Sequence, residues 1–331
     1  RKWELISNNL PERGTAHTII EDHIDPQLLF VGTEFGLFFS NNGGESWNEL
    51  TSLPTVSVRD LEIQRREGDL VIGTFGRGIY ILDDYSPLRA SASELAAEAT
   101  LFSVRDAWLY VPDDRRGWGG KGDWGVGRYT ADNPPYGAVF AYYLSADLQS
   151  LGDQRRETEK EQAKDGGDNA YPSWQQLRRE DREEAPSMTL TIRDATGHVV
   201  QRINAPAGKG FHRVAWNMRY PAPDPINLSP ETHLAPWASP PKGPMALPGN
   251  YTVTLSKRVE GALLEISGAQ SFALKPLYDG GLVTDNRQDL FDFQMQSAAL
   301  YRAVTGADGA RKEIQGRIDH LLAAVGETPS S

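Results

Sequence analysis

The feature that most constrains this chain is a strand motif that occurs twice within its first quarter. The first copy, Val31–Phe38, reads Val-Gly-Thr-Glu-Phe-Gly-Leu-Phe, and the second, Ile72–Tyr80, reads Ile-Gly-Thr-Phe-Gly-Arg-Gly-Ile-Tyr. Each copy has an apolar residue before Gly-Thr, then a Phe-Gly turn, then an apolar run. A strand pair that recurs after about 40 residues is typical of folds built from repeated small sheets. The repeat therefore predicts one blade of a β-propeller followed by the start of the next blade.

A turn-rich box, residues 40–47 with the sequence Ser-Asn-Asn-Gly-Gly-Glu-Ser-Trp, lies between the two copies. Asn42 is suited to closing an Asx turn on the backbone two residues on, and Gly43 and Gly44 accept the positive φ angles of a tight hairpin. Trp47 supplies a large apolar side chain that can pack the hairpin against a neighbouring sheet. The box therefore predicts a hairpin whose residues act structurally.

The box also resembles a known repeat, the BNR or Asp-box, Ser-x-Asp-x-Gly-x-Thr-Trp. The matching residues are Ser40, Asn42, Gly44, Ser46 and Trp47, with Asn in place of Asp and Ser in place of Thr. This repeat occurs in sialidases, xyloglucan-cleaving glycosidases and sortilin-type receptors, so the resemblance implies a structural role and selects no activity. Residues 71–84 look like the last strand pair of large bacterial sortilin-like propeller proteins, which are often labelled glycosyl hydrolases.

The first predicted domain, residues 1–85, holds the terminal propeller blade and closing strands. One blade and a closing strand cannot bury both faces of a repeat, since three or more repeats are usually needed for stability. We therefore expect the chain to be a piece of a longer protein, or a product of processing, with the remaining blades upstream or on another chain. Residues 86–133 are predicted to be a linker followed by a loop rich in Gly and Trp.

The second predicted domain covers residues 134–285. Short strands separated by turn signals predict an immunoglobulin-like or fibronectin-like β-sandwich. The domain resembles the small Ig-like modules that follow bacterial surface propellers, in which Trp216 and Tyr251 would be core residues. Its charged insertion, 147–186, is expected to be a solvated helix pair or a mobile segment, and its proline-rich loop, 221–248, is expected to be an interface.

The tail, residues 286–331, is predicted to be an α-helical hairpin. Its first apolar face comprises Leu290, Phe293, Ala298, Tyr301 and Val304, and its second comprises Ile314, Ile318, Leu321, Leu322 and Val325. The glycines in the segment 306–309 are expected to form the turn between the two helices. Two amphipathic helices must cover an apolar surface on this chain or on a partner.

Composition excludes several classes of function. A net charge of −11 over 331 residues disfavours nucleic-acid binding, and no apolar run approaches the roughly 20 residues that span a bilayer. The chain has no Cys, and its six His residues form no metal-binding spacing, so no catalytic, cofactor-binding or metal-binding residue is predicted. The spacing Gly73-x-x-Gly76-x-Gly78 does not indicate a dinucleotide site, because a β run follows it instead of a helix.

Four residues are candidate ligand contacts. Arg77 can point into a propeller channel and bind a ligand carboxylate, or it can form an ordinary ion pair. Trp118 and Trp124 lie among glycines and can stack on sugar rings or clamp a long loop, and Trp237 of the proline-rich loop is a further sugar platform.

Three functions remain open at this stage. The first is a non-catalytic interaction module of a larger secreted, periplasmic or cell-surface bacterial protein, which binds protein or peptide and needs no cofactor. The second is the accessory half of a glycoside hydrolase whose catalytic residues lie outside this chain. The third is a structural subunit of an envelope complex that docks through the tail.

Overall fold

The structure is a computed structural model, and it describes residues 4–112, 131, 133–226, 241–259, 261–278 and 286–328. The fold is mainly β, with four sheets and a long C-terminal helix. It separates into two compact units. The first comprises residues 1–102, 141–147 and 208–212, and the second comprises residues 103–140, 148–207 and 213–331.

The repeated motif forms the central hairpins of two antiparallel sheets in the first unit. The first sheet contains β1 (Ala16–Glu21), β2 (Leu29–Thr33), β3 (Leu37–Ser40) and β4 (Asn48–Glu49), in that spatial order. The second sheet contains β5 (Val58–Gln64), β6 (Asp69–Thr74) and β7 (Ile79–Leu82), again in chain order. The two copies of the motif therefore occupy equivalent places, β2–β3 and β6–β7.

The core of the first unit is built from one face of each sheet. Phe30 and Leu37 of the first sheet lie in the same buried cluster as Leu61 and Ile72 of the second. Because side chains alternate between the faces of a strand, the intervening residues point away from this core. Leu29, Val31 and Phe38 accordingly form a second buried cluster with Trp47, and Leu10 packs against it.

The remaining elements follow in chain order. They are α1 (Ala92–Ala96), β8 (Ala99–Leu101), β9 (Ala107–Leu109), β10 (Ala138–Leu144), α2 (Leu151–Lys164), α3 (Trp174–Arg182), β11 (Ser187–Asp194), β12 (Val199–Ala205), β13 (Gly210–Trp216), β14 (Gly249–Val259), β15 (Ala262–Pro276) and α4 (Arg287–Glu327). Strands β13, β10 and β8 form a three-stranded sheet, and β12, β11, β14, β15 and β9 form a five-stranded sheet. Only the β15–β9 pair of the five-stranded sheet is parallel.

Aromatic side chains dominate the core of the second unit. Trp216 contacts Tyr251 with ring centroids 5.6 Å apart, and both pack on Phe272 of β15. Phe140 of β10 meets the same Phe272 ring edge-on at 5.4 Å. Trp216 and Tyr251 are both buried, as expected for core residues. Their polar atoms are satisfied by backbone carbonyls, because Trp216 Nε1 donates to Arg219 O and Tyr251 Oη donates to Leu247 O.

The charged segment 147–186 contains a pair of helices, α2 and α3. Ser150 and Ser173 cap their N-termini by accepting hydrogen bonds from backbone amides of the first turn. The two helices are joined by Arg155, whose guanidinium donates two hydrogen bonds to Glu180 at 2.8 and 2.9 Å. Of the two expectations for this segment, the structure contains the helix pair.

The tail differs from the predicted hairpin. α4 is one continuous helix of 41 residues that runs through Gly306 and Gly309 without a turn. A glycine inside a helix costs only about 1 kcal/mol relative to alanine, and the flanking Ala, Asp and Arg residues continue the helix on both sides. The prediction of a hairpin was therefore wrong, since these glycines lie within a sequence that favours helix on both sides and the helix tolerates them.

Candidate functional site

The turn box forms the hairpin between β3 and β4, and its polar side chains are used within it. Asn42 accepts hydrogen bonds from the Ser40 hydroxyl at 2.7 Å and from the Ser46 amide at 3.0 Å, and its Nδ2 donates to Ser46 Oγ. Ser40 Oγ accepts from the amide of Gly44 at 2.8 Å. Gly43 and Gly44 have φ angles of +69° and +90°, the left-handed conformations that favour glycine.

Residues 6–9 close over this hairpin. Asn9 donates to Trp47 O and accepts from Trp47 N, both at 2.8 Å, in the manner of a strand pair. Trp47 Nε1 donates to Ile6 O at 2.7 Å, so the buried indole has a polar partner. Asn8 donates to the carbonyls of Gly44 and Glu45. These contacts engage the polar side chains of the box within the hairpin and with residues 6–9.

A buried ionic cluster, which sequence reasoning missed, lies at the end of β1. Asp22 is 2% exposed and receives two hydrogen bonds from the Arg89 guanidinium, Nε to Oδ2 at 2.6 Å and Nη2 to Oδ1 at 3.0 Å. Tyr85 Oη donates to the same carboxylate at 2.5 Å, and the Asp25 amide donates at 2.9 Å. We call Asp22, Tyr85 and Arg89 the clasp. It joins the turn after β1 to the 3-10 helix, Ser86–Arg89, that follows β7.

The electrostatics of the clasp follow from burial and pairing. Burial alone would raise the pKa of Asp22, but the hydrogen bonds from Arg89 and Tyr85 outweigh it and hold that pKa well below its usual range. Burial, together with the bond to the Asp22 carboxylate, raises the pKa of the Tyr85 hydroxyl. The carboxylate is therefore charged at neutral pH and surrounded by donors, which suits a structural link and does not suit proton transfer.

Arg77 lies in the exposed turn between β6 and β7. It stands between Gly76 and Gly78, whose φ angles of +78° and +77° shape the turn. The preceding Phe75 is also exposed, and the Arg59 guanidinium stacks over its ring at 5.2 Å from the centroid. This turn is thus a surface feature with two cations and an aromatic ring beside each other. The other three candidate contacts, Trp118, Trp124 and Trp237, lie outside the described residues.

The outer face of the second sheet carries large apolar side chains in water. Ile79 and Ile81 of β7 are 72% and 59% exposed, and Phe75 is 69% exposed. Tyr80 and Leu82, which alternate with these isoleucines, pack against the core on the opposite face. Contiguous exposed apolar residues of this kind mark interaction surfaces more often than isolated ones do.

A second apolar surface lies wholly within the second unit. A groove of about 1110 Å³ separates the first half of α4 from the end of β9, the segment 242–248 and the segment 276–278. Phe291 of α4 anchors the helix by contacting Tyr220 at 5.3 Å between centroids, and Arg302 donates to Ala222 O. We call this space the α4 groove. The segment 242–248 belongs to the proline-rich loop, 221–248, that was expected to be an interface, and this expectation stays a prediction.

In the described ranges, His, Asp and Glu side chains nowhere gather in threes that would hold a metal ion. Among the described helices, none is both long and apolar enough to cross a lipid bilayer.

Comparison with protein-family models and with curated proteins gives no match. Among solved structures, the chain is similar to PorZ of Porphyromonas gingivalis, described as an essential bacterial surface component of the type-IX secretion system. The two share 14% sequence identity with a TM-score of 0.19, over 79% of this chain and 30% of PorZ. The chain thus matches less than a third of the length of PorZ, and a likeness this weak supports no conclusion about function.

Proposed function

We propose that this chain is a non-catalytic interaction module of a larger secreted or cell-envelope protein, and that it binds other protein segments. In this proposal, residues 4–85 are terminal blades of an Asp-box β-propeller, and the second unit carries an Ig-like domain. The observation that carries the proposal is the exposed apolar face of the second sheet.

The first sheet indicates how such a face is covered. One of its faces packs in the core shared with the second sheet, and the centre of its other face is covered by Trp47 and Leu10. In the second sheet, the face that bears Ile79 and Ile81 has no equivalent cover among the described residues. Since the two sheets share one strand motif, the partner that fits this face is another sheet with an apolar face of the same kind.

The neighbouring turn adds polar selectivity to the same surface. The Arg59 guanidinium stacks over the Phe75 ring, and Arg77 follows two residues later in the same exposed turn. A guanidinium at the rim of an apolar contact pairs with carboxylates of a partner and fixes the register of the contact. We therefore propose Arg77 as a rim contact to an acidic group on the partner.

The glycan-binding alternative depends on Trp118, Trp124 and Trp237, and it stays a prediction. The envelope-subunit alternative is compatible with the present proposal, because both require a protein partner on an exposed apolar surface. The two alternatives differ in the kind of partner that they require. The proposal requires further sheets of the same repeat, whereas a separate envelope subunit could have any fold.

Single-cysteine labelling tests the proposal, because the chain has no Cys of its own. Two variants are expressed from the natural gene in the cells that naturally make the protein. They are Ile81→Cys and its control, Glu12→Cys. The rate of thiol alkylation is then compared between the isolated chain and the native protein prepared from those cells with its partners. We expect Ile81→Cys to react about tenfold or more slowly in native material, because an interface core excludes water, whereas Glu12→Cys reacts equally in both. Equal rates for Ile81→Cys would overturn the proposal.

A further inference from the structure

The continuous α4 helix carries a heptad pattern that a hairpin would have broken. Starting at Leu290, the spacing alternates between three and four residues up to Val325 without a slip. The positions are Leu290, Phe293, Ser297, Leu300, Val304, Ala307, Arg311, Ile314, Ile318, Leu321 and Val325. Eight of these eleven positions hold large or medium-sized apolar residues. The other three are Ser297, Ala307 and Arg311. A stripe sustained over five heptads is the signature of a helix that packs along another helix.

Nothing among the described residues covers this heptad stripe. The apolar members of the stripe in both halves of α4 are exposed, including Phe293, Leu300 and Ile318. The helix instead meets its own unit through a different line of residues, which includes Phe291 and Arg302. Between Leu290 and Val325, a length of about 50 Å at 1.5 Å per residue, the described residues leave the stripe facing water.

We propose that two copies of this chain associate through α4, antiparallel, so that the second half of each helix lies along the α4 groove of the other copy. The groove is open and apolar, and Leu290, Phe293 and Ser297 of the stripe line it together with Leu277 and Tyr278. The occupant it fits is an amphipathic helix with the same 3.5-residue period. Among the described helices, only α4 has such a stripe, since α2 and α3 are dominated by charged residues.

The antiparallel direction follows from the one charged member of the stripe. In a parallel pair, Arg311 would face Arg311 of the partner across the seam, which places like charges together. In an antiparallel pair with its twofold axis near Gly309, Arg311 faces the small Ala307 instead. Asp308 pairs with Arg311 at 3.0 Å and with Lys312 at 2.8 Å, so part of the positive charge at the centre of the seam is already neutralised within each helix. Ile314 and Ile318 then face Val304 and Leu300.

The buried area is adequate for a stable pair. Dividing the transfer free energy of a large apolar side chain by the usual value per unit area gives roughly 60–100 Å² of surface removed from water. The eight large apolar positions and Leu322 would then contribute about 500–900 Å² per copy, close to the ~800 Å² per partner of stable protein interfaces. The inference concerns the second unit alone, so it stands or falls independently of the proposed function.

Sedimentation velocity of the full chain at micromolar concentration tests the association. We expect a species of twice the 36.6 kDa chain mass. Ile318→Glu places a charge in the stripe at an exposed position, so it should give a monomer with unchanged circular dichroism. Ala323→Glu, on the opposite side of the same turns, is the matched control and should remain a dimer. A wild-type monomer, or a dimer that persists in Ile318→Glu, would overturn the proposal.

Disulfide trapping then tests the direction. Ala310→Cys lies beside the proposed twofold axis and should cross-link to its own counterpart under mild oxidation. Val325→Cys should not, because in an antiparallel pair the two copies of residue 325 lie at opposite ends of the seam. Cross-linking of Val325→Cys without cross-linking of Ala310→Cys would refute the antiparallel arrangement.

Discussion

Replacing Arg89 with methionine should destabilise the first unit strongly, because it leaves the carboxylate of Asp22 buried without its cation. Removal of one member of a buried ion pair costs about 3–5 kcal/mol. The lower end applies here, since Asp22 keeps its hydrogen bonds from Tyr85 Oη and the Asp25 amide and since the methionine retains most of the apolar stem. A cost of about 3 kcal/mol corresponds to a roughly 150-fold larger opening constant.

The deficit should also depend on pH in a defined direction. In the wild type, the folded pKa of Asp22 lies below its unfolded value, so its contribution is present above about pH 4 and is lost as the pH falls through the folded pKa. In Arg89→Met, burial remains while the hydrogen bonds from Arg89 are lost, so we expect the folded pKa of Asp22 to rise above the unfolded value. Protonation then relieves the unpaired charge, and the variant's deficit relative to wild type should shrink from pH 7 towards pH 4.

Amide hydrogen exchange of β2 and β6 measures the local opening free energy of the first unit. A local measurement is needed because the chain has two units, which need not unfold in one transition. The matched control is Arg66→Met, which breaks the exposed pair with Glu67 and should cost less than about 1 kcal/mol. Protection in Arg89→Met that equals that of the control, or a deficit that is constant between pH 7 and pH 4, would refute the reasoning.

Two further substitutions test the turn box and the helix. Asn42→Ala removes three hydrogen bonds of the β3–β4 hairpin, and it should lower the opening free energy of β3, measured by hydrogen exchange, by about 1–2 kcal/mol. Asn42→Asp keeps the acceptor oxygen, so its opening free energy should stay within about 0.5 kcal/mol of wild type. Equal losses in the two variants would contradict the assigned bonds. Gly309→Ala should stabilise α4 by about 1 kcal/mol, seen as slower amide exchange across the helix, because a Cβ there meets open space. Destabilisation by this alanine would instead favour a turn at Gly309.

Local patterns in the sequence predicted much of the β structure. The repeated Gly-Thr and Phe-Gly motif placed the β2–β3 and β6–β7 hairpins, and the resemblance to Ig-like modules implied that Trp216 is a core residue. Such predictions succeed because the period of a strand and the conformational demands of a turn are written in neighbouring residues.

Long-range pairings were not accessible in the same way. Asp22 and Arg89 are 67 residues apart, and nothing in either local sequence distinguishes them from surface charges. The exposed isoleucines of β7 read as an ordinary core strand, because alternation does not reveal which face lacks a neighbour. The tail failed for a different reason, since glycines at 306 and 309 suggested a break that the helix tolerates.

The clasp also has a mechanical consequence. Arg89 is held by Asp22, and the carbonyl of the next residue, Ala90, accepts a hydrogen bond from Asn41 Nδ2 at 2.8 Å. Tension applied to the chain beyond Ser91 therefore reaches these anchor points before it reaches β7, an edge strand of four residues that would otherwise peel away one backbone bond at a time. The two anchors load together, because they grip adjacent residues, and they transfer the pull to the first sheet. The part of the unit that would yield first in a stretching experiment is thus shielded by contacts lying downstream of it in the sequence.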